Sequence, residues 1–212
     1  AAFRTVRSID YGGSRWSVVL SSNAVFDARL HTEESKLIAG AGIVGSCAAL
    51  SLAHAGYRVA LVEAHEPKSW SEGMPDLRVV ALAVDNQALL DRCGVWKKIA
   101  ERRAWPYAEM RVWDAAAGNE LHLSASQQAQ ESLGSIVENN NIADALWQAI
   151  KHEQGIQIFC PDTLESLEQK DGVTLHLKSG AVIKANLVLG ADGASSKVRE
   201  LLGLQSNKKD YG

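Results

Sequence analysis

The 212-residue sequence has few cysteines and none of the compact motifs that hold a metal ion or build a hydrolase active site. Its three cysteines, Cys47, Cys93 and Cys160, are far apart and form no C-x-x-C pair, which excludes a disulfide framework and a cysteine-based metal site and fits a reducing compartment. The six histidines are dispersed, with no H-E-x-x-H pair, and no G-x-S-x-G segment marks a nucleophile elbow. Cys47 is either a thiol activated by a helix terminus or, as its small size favours, a packed core residue.

The sequence also lacks an excess of charge and a long uninterrupted apolar run. A net charge of -3, with 22% charged and 46% hydrophobic residues, is typical of a soluble globular protein and gives no electrostatic reason to expect nucleic acid as a partner. Residues 37–53 carry no charge, but three glycines near their start argue against a membrane span. Residues 1–35 have no apolar core of the signal-peptide type. These features predict a cytoplasmic protein that is large enough for one large domain or two small ones.

The most informative stretch runs from Lys36 to Glu63 and reads KLIAGAGIVGSCAALSLAHAGYRVALVE. A short apolar run is followed by Gly40, Gly42 and Gly45 in the G-x-G-x-x-G spacing. Gly40 permits a tight turn out of a strand, Gly42 lets the backbone approach a pyrophosphate, and Gly45 lets the next helix lie close to the sheet. The N-terminus of that helix then offers unpaired N–H groups and the positive end of its dipole to phosphates.

The flanks of this motif have the order of a βαβ unit. The helix-compatible stretch runs to about Ala55, Gly56 stops it, and residues 57–62 read as a second buried strand. Glu63 follows 18 residues after Gly45, where an acidic side chain can accept hydrogen bonds from ribose hydroxyls. The pattern predicts a dinucleotide-binding βαβ unit, and the alternatives are a membrane span or a buried structural helix.

Residues 1–35 precede this unit, and their role is unknown. Two β runs, Phe3–Ile9 and Trp16–Leu20, are joined by the turn-rich segment 10–14, which is typical of a hairpin. The segment is either a native extension or foreign to the domain.

Downstream of Glu63 the sequence predicts a mixture of loops, helices and strands. Residues 65–76 read as a loop, and the apolar run 77–83 is interrupted by Arg78, which is either a surface residue of an edge strand or a charge placed for a ligand. The further predicted elements are a helix over 86–100 with a candidate break at Gly94, strands over 110–113 and 120–123, an irregular stretch over 124–135, a helix over 141–153, a strand over 156–159, a hairpin over 173–184 and a buried strand over 187–189.

A second glycine-rich segment follows the last predicted strand. Asp192-Gly193 stands between that strand and a helix predicted to start near Ser195, which repeats the strand–turn–helix order of the first motif. A carboxylate at such a crossing can hold a ribityl hydroxyl, while the glycine lets cofactor phosphates come near. Taken alone, an Asp-Gly pair after a strand is also typical of a plain turn that caps a helix.

Together, the two glycine-rich segments resemble those of the group A FAD-dependent aromatic hydroxylases, which have the p-hydroxybenzoate hydroxylase-like fold. Within that group the sequence looks most like the ubiquinone-biosynthesis hydroxylases. The matching stretches are IAGAGIVG to ALVEA (38–64), PDLRVVAL (75–82), GVW (94–96), MRVWD (110–114), IVENNNIADALWQA (136–149) and LVLGADGASSKVR (187–199). They follow the family's order and spacing over nearly all of residues 36–212.

The resemblance implies FAD as the cofactor and NAD(P)H as the co-substrate. The positions that match cofactor-binding residues of the family are Gly40, Gly42, Ile43, Val44, Gly45, Glu63, Ala64, Arg78, Asp192 and Gly193. By that match the glycine-rich turn surrounds the pyrophosphate, Glu63 binds the adenosine ribose, Arg78 lies against the phosphates and Asp192 stands at the riboflavin end. Glu138 falls near a further cofactor-contacting position.

The implied activity is hydroxylation of an aromatic ring, on a polyprenyl phenol or quinol of ubiquinone biosynthesis, with NAD(P)H and O₂. No side chain is expected to be catalytic, because the flavin carries the chemistry and the protein positions the ring and excludes water. The implied partner is a small aromatic or isoprenoid substrate. Its polyprenyl tail allows peripheral membrane contact, or a place in a biosynthetic complex.

The match has two departures. A third fingerprint of the family, a G-D pair, and most of the family's substrate-binding sheet have no counterpart here, while residues 1–35 and Lys36 differ from the usual start. We therefore interpret residues 36–212 as an incomplete Rossmann-like FAD-binding domain of the α/β class, with 105–138 starting the substrate-side sheet and the C-terminal half of the same protein missing. The alternatives are a non-catalytic FAD- or nucleotide-binding fragment and a related flavin oxidase or reductase.

Overall fold

A computed structural model describes residues 3–11, 14–22, 35–113, 120–170 and 172–205. The chain divides into two compact units, one formed by Ala1–Pro67 with Ile150–Gly212 and the other by Lys68–Ala149. The predicted limits of the N-terminal extension and of the substrate-side sheet remain predictions. Asp114 to Asn119, part of the predicted connection between two strands, lie outside the described residues.

The elements alternate between strands and helices, which confirms the predicted α/β class. In chain order they are β1 (Phe3–Tyr11), β2 (Ser14–Ser22), β3 (Ser35–Ala39), α1 (Ile43–His54), β4 (Arg58–Val62), β5 (Val79–Ala83), α2 (Val84–Arg92), α3 (Trp96–Arg103), β6 (Ala104–Tyr107), β7 (Glu109–Trp113), β8 (Glu120–Ser124), β9 (Gly134–Glu138), α4 (Asn139–His152), β10 (Ile156–Phe159), β11 (Leu164–Lys170), β12 (Gly172–Leu177), β13 (Val182–Ala185), β14 (Leu187–Gly190) and α5 (Lys197–Leu201).

The first unit is built on a six-stranded sheet with the order β1-β2-β14-β3-β4-β10. Its strands β14, β3, β4 and β10 are parallel, and the register places Leu37 beside Val188 on one side and Ala60 on the other. The predicted hairpin in the first 22 residues is present as β1 and β2, and β2 pairs antiparallel with β14. The unit therefore has a parallel centre with an antiparallel edge.

The parallel strands are buried because both faces of the sheet are covered. Residues 37–39 of β3 and 59–62 of β4 are all at most 8% exposed, which explains why each strand reads as a continuous apolar run. Leu37 and Ala39 belong to a hydrophobic core that also contains residues of the smaller sheet β11-β12-β13 and Val198 of α5. Alternate residues of β3 and β4 point to the other face, and α1 packs on these two strands.

The second unit contains a three-stranded sheet with the order β5-β9-β6 and the separate hairpin β7-β8. Its predicted long helix is divided into α2 and α3 at Gly94, whose φ of +75° suits glycine. The stretch 124–135 was predicted to be irregular, and this is wrong in part: residues 125–128 form a 3-10 turn and β9 begins at Gly134. Among the described residues, no helix combines the length and apolar character that crossing a bilayer requires.

Candidate functional site

A cleft of about 420 Å³ opens where the parallel strands of the first unit end. It is lined by residues that follow β3, β4, β10 and β14, namely Gly40, Gly42, Glu63, Ala64, Asp162, Thr163, Leu164, Ala191, Asp192, Gly193, Ser195 and Lys197, together with the strand ends Ala39 and Val62. In open α/β sheets, ligands bind outside the carboxyl ends of the strands. Its volume is in the usual range for a cofactor or small-molecule site.

The three glycines of the first motif have different surroundings at this cleft. Gly40 has a φ of +99°, and a Cβ there would stand 2.5 Å from the carbonyl oxygen of Ala191. At Gly45 a Cβ would stand 1.8 Å from the carbonyl oxygen of Gly40, so this glycine lets α1 begin directly against the turn after β3. A Cβ at Gly42 would meet none of the described protein atoms within 4 Å. Packing therefore requires glycine at positions 40 and 45. Packing does not require glycine at position 42, where an added Cβ would stand in the open space of the cleft.

The N-terminus of α1 faces the cleft through Gly42, its N-cap residue. No acidic side chain occupies the first turn of α1, and the Gly42 cap makes no side-chain hydrogen bond to the helix. The first N–H groups of a helix have no intrahelical acceptor and carry the positive end of the dipole. The end of α1 can therefore bind an anion such as a phosphate.

Glu63 ties the end of β4 to the glycine-rich turn. Its Oε2 accepts a hydrogen bond of 2.5 Å from the Ala41 N–H, and its Oε1 accepts one of 3.2 Å from the His65 N–H. The carboxylate thus holds the turn in place while it lines the cleft. A carboxylate has about four acceptor positions, so Glu63 can still accept hydrogen bonds from a diol.

Asp192 lies at the start of the second strand–turn–helix crossing. Its Oδ2 accepts hydrogen bonds from the backbone N–H groups of Lys197 (2.6 Å) and Val198 (3.1 Å), which begin α5. Helix capping, the plainer of the two interpretations, is therefore one role of Asp192. Its Oδ1 is buried and has no hydrogen-bond partner among the described residues. A buried acceptor without a donor is costly, so this atom is suited to a ligand hydroxyl.

Asp162 was missed by the sequence prediction, although it also lines the cleft. It follows β10, and its carboxylate accepts hydrogen bonds from the Thr163 N–H (2.8 Å) and from the N–H and hydroxyl of Ser179 (3.3 and 2.5 Å). Burial raises the pKa of Asp162, but these hydrogen bonds outweigh it and hold the pKa below its ordinary value of 3.8. An acidic residue within three positions of the end of a predicted strand was the available signal, as it was for Glu63 and Asp192.

The remaining predicted positions do not line this cleft, and neither does Gly45, which is buried in α1. Ile43 and Val44 form the start of α1, and Val44 is 46% exposed. Arg78 lies in the second unit, directly before β5, with an exposed side chain. Glu138 is buried there and bonds Arg103 (2.6 Å) and the Trp70 indole (3.1 Å), so its carboxylate is engaged within the protein. Cys47 is buried, which confirms the packed-residue interpretation.

The sequence profile of the family described as "FAD binding domain" matches residues 34–211. The chain belongs to this family. The match begins next to β3 and includes every residue of the cleft. The predicted family resemblance is therefore confirmed, and the Rossmann-like unit is an FAD-binding domain.

Curated relatives of this FAD-binding domain include hydroxylases of ubiquinone biosynthesis. The chain is 36% identical over 176 residues to 3-demethoxyubiquinol 3-hydroxylase of Escherichia coli (strain K12). This alignment covers 82% of this chain and 45% of that protein. It is 32% identical over 177 residues to the ubiquinone hydroxylase UbiL of Rhodospirillum rubrum, covering 83% of this chain and 41% of the relative. The chain thus spans less than half the length of these relatives.

Solved structures of flavin monooxygenases share the fold. The p-nitrophenol 4-monooxygenase PnpA from Pseudomonas putida DLL-E4 superposes with a TM-score of 0.65 at 26% identity, covering 81% of this chain and 44% of PnpA. PqsL from Pseudomonas aeruginosa, a probable FAD-dependent monooxygenase, gives a TM-score of 0.68 at 22% identity, covering 84% of this chain and 48% of PqsL. The FAD-binding domain therefore has the architecture of the corresponding part of these proteins.

The residues present fit FAD. The open space in front of Gly42 and the first turn of α1 suit a pyrophosphate, because a backbone without a Cβ can approach it. Glu63 can accept from a ribose diol, and the unpartnered Oδ1 of Asp192 can accept from a further hydroxyl. The cleft thus has an anion-binding centre with a hydroxyl acceptor at the end of each flanking strand.

Proposed function

We propose that the cleft of this chain binds FAD and that the parent protein is an FAD-dependent monooxygenase. The observation that carries the proposal is the placement of Gly42, Glu63 and Asp192 at the carboxyl ends of β3, β4 and β14, around one cleft. The match of residues 34–211 to the FAD-binding family supports the cofactor. Because the chain spans less than half of its curated relatives, the activity is assigned to the parent protein and cofactor binding to this chain.

Three parts of the cleft have a role in holding the cofactor. The N–H groups at the start of α1, next to Gly42, bind the pyrophosphate, and Glu63 accepts from the adenosine ribose while it fixes the turn through Ala41. Asp192 uses one oxygen to cap α5 and offers the other to a hydroxyl of the ribityl chain. The family resemblance adds the guanidinium of Arg78 as a further candidate ligand of the phosphates.

Bound FAD supplies the redox chemistry, in which NAD(P)H is the reductant and O₂ the source of the oxygen atom. The protein binds and orients the ring that is hydroxylated and keeps water out. The names of the curated relatives favour a polyprenyl phenol or quinol of ubiquinone biosynthesis as the substrate. A lipid tail of that kind would bring the parent protein to a membrane surface or to the enzymes that share the substrate.

Titration of the 212-residue chain with FAD tests the binding step. We expect a Kd of about 1 µM or tighter, measured by flavin fluorescence or by calorimetry. The variant Asp192→Ala removes the hydroxyl acceptor and should weaken FAD binding about tenfold, whereas Asp91→Ala on the exposed surface of α2 serves as a matched control. A chain that is folded by circular dichroism and does not bind FAD would contradict this assignment.

The activity is tested on the full-length parent protein. It should be yellow when purified, and it should consume NAD(P)H and O₂ with hydroxylation of an aromatic ring. Flavin reduction without ring hydroxylation would favour the reductase or oxidase alternative, and the lack of extractable flavin would refute the flavoprotein assignment.

A further inference from the structure

We propose that a groove beside β13 binds an extended acidic segment of a partner protein, which pairs with β13 as a further strand of the sheet β11-β12-β13. This β13 groove has a volume of about 620 Å³ and lies within the first unit. It is lined by the first residues of β3 and β4, by β10 and by residues 182–184 of β13. It opens at the start of the parallel strands, whereas the cleft with Gly42 lies at their carboxyl ends. The inference is independent of the proposed function.

The edge of β13 offers backbone groups for such a pairing. β13 is the last strand of its sheet, and in the part of the chain that the structure describes it pairs with β12 alone. The Leu177 N–H donates to the Ala181 carbonyl oxygen at 2.9 Å, at the turn that joins the two strands. Hydrogen bonding in an antiparallel ladder alternates, so the peptide groups of Ile183 also face β12. The N–H and C=O groups of Val182 and Lys184 therefore face away from β12.

The residue after β13 shows that this edge is turned towards the β13 groove. Asn186 follows Lys184 by two positions, and its N–H donates a 2.9 Å hydrogen bond to the carbonyl oxygen of Ser35 at the start of β3. Ser35 also lines the groove. The same edge is thus satisfied at Asn186 and open at Val182 and Lys184. An open edge of this kind is a template for another strand.

The floor of the β13 groove is the part of the parallel sheet that the smaller sheet leaves uncovered. Ala60 and Gln157 are partners in the register of β4 and β10, so their side chains point to the same face. Ala60 is buried in the core with the smaller sheet, whereas Gln157 is exposed. Phe159, on the same face, is partly buried against that core, and Val182 of β13 is 55% exposed. An added strand would cover these apolar side chains.

The charge of the β13 groove selects an acidic partner. The charged residues among its described lining are Arg58 and Lys184, which are both exposed and both positive. A peptide with carboxylates complements these charges, and a basic peptide is repelled by them. Main-chain pairing with β13 supplies the affinity, and the side chains beside the two cations supply the selectivity.

A display library of random peptides of about ten residues, selected against the 212-residue chain, tests the proposal. We expect the selected peptides to be rich in Asp and Glu and in β-branched residues. The Kd of a selected peptide, measured by fluorescence polarisation, should rise about tenfold in Lys184→Glu and stay near the wild-type value in Lys184→Arg.

Val182→Pro tests the backbone pairing. The N–H that this substitution removes faces away from β12, so the ladder of the sheet is kept and the added strand loses a donor. The Kd of the peptide should rise about tenfold, whereas the control Val182→Thr should bind like the wild type. Bound peptide should also slow the hydrogen exchange of the Lys184 amide and leave that of Ile183, which already faces β12, unchanged.

The outcomes separate this site from the cofactor site. A library that yields no binding peptide overturns the proposal, as do peptides without an excess of acidic residues or peptides that bind Lys184→Glu and Val182→Pro like the wild type. Binding without protection of the Lys184 amide overturns the strand pairing. If Val182→Pro lowers the melting temperature, Lys184→Glu and the exchange measurement decide. The Kd for FAD should be the same in all these variants, and a chain that fails to bind FAD leaves this inference standing.

Discussion

Two glycine-to-alanine substitutions in the same turn should separate the stability of the fold from the binding of its ligand. Gly45 and Gly42 are three residues apart at the start of α1, and each substitution adds a single methyl group. The structure places one methyl against backbone and the other in open space. We expect Gly45→Ala to destabilise the protein, and Gly42→Ala to weaken FAD binding in a protein of normal stability.

The magnitude at Gly45 follows from the backbone contact. The added Cβ would stand 1.8 Å from the carbonyl oxygen of Gly40 and 3.1 Å from Cβ of Ala191, while real contacts keep at least 3.0 Å, so α1 and the turn must move apart by about 1.2 Å. Such overpacking costs about 1–3 kcal/mol, against which the better helix propensity of alanine returns roughly 0.5–1 kcal/mol. Because the contact is with a backbone oxygen at 1.8 Å, the cost should lie at the upper end of that range, and the net loss in the free energy of unfolding should be about 2 kcal/mol.

Gly42 is the matched control, because its backbone conformation suits alanine. Its φ of -61° and ψ of 175° are ordinary for any residue, and no atom of the described residues lies within 4 Å of the added Cβ. At an N-cap, alanine in place of glycine should change the free energy of unfolding by less than about 1 kcal/mol. The methyl would stand where the pyrophosphate approaches the backbone, so the Kd for FAD should rise about tenfold or more.

Urea denaturation followed by circular dichroism measures the first effect, and FAD titration measures the second. The m-values should stay equal, so that a shift in the midpoint reports stability. A Gly45→Ala protein as stable as the wild type would refute the packing argument. A Gly42→Ala protein that binds FAD like the wild type would refute the placement of the pyrophosphate.

Two further substitutions each test the role of a charged side chain, one in each unit. Asp162→Asn should reduce stability at neutral pH. Burial raises the pKa of Asp162, but hydrogen bonds from Ser179 and Thr163 outweigh it and keep the folded-state pKa below 3.8. The stability that these bonds give is therefore present above pH 3.8 and is lost as the pH falls through the folded-state value, so the difference between variant and wild type should shrink in acid. Acid denaturation curves of both proteins check it. Arg103→Met should cost about 3 kcal/mol, because it leaves the Glu138 carboxylate, 6% exposed, without its cation; urea denaturation measures it.

Both charge predictions have controls on the protein surface. Lys97→Met removes an exposed i,i+4 pair with Glu101, and it should change the free energy of unfolding by less than about 0.5 kcal/mol. Equal losses from Arg103→Met and Lys97→Met would contradict the buried-pair argument. For Asp162, a difference between variant and wild type that already disappears above pH 3.8 would contradict a lowered pKa.

The elements that the sequence predicted well depend on signals that are local in the chain. The strand β3, the glycine turn, the helix α1 and the stop at Gly56 follow one another within about twenty residues, and the structure has each of them. Gly56 has a φ of +86° and Gly94 one of +75°. Both glycines were predicted to end a helix, and each does so by adopting a left-handed backbone conformation that favours glycine. The strand β10 begins and ends at the predicted residues.

The strands that the prediction missed owe their formation to distant partners. β9 reads as a lead into α4, and it becomes the central strand of its sheet because β5 and β6 pair on its two sides. β6 contains Pro106, which lowers its strand signal, and it lies at the edge of that sheet. β11 is largely polar, and among the described strands it pairs with β12 alone. Local composition carries little information on such pairings.

The sequence by itself determined a βαβ unit for a dinucleotide, because the glycine turn, the helix start and the acidic strand end are encoded side by side in the chain. Only the tertiary structure decided what surrounds that unit. The register between β3 and β14 brings Ala191 and Asp192 against Gly40, and the pairing of β4 with β10 brings Asp162 to the same cleft. These neighbours are distant in sequence and meet because parallel strands end at one edge of a sheet.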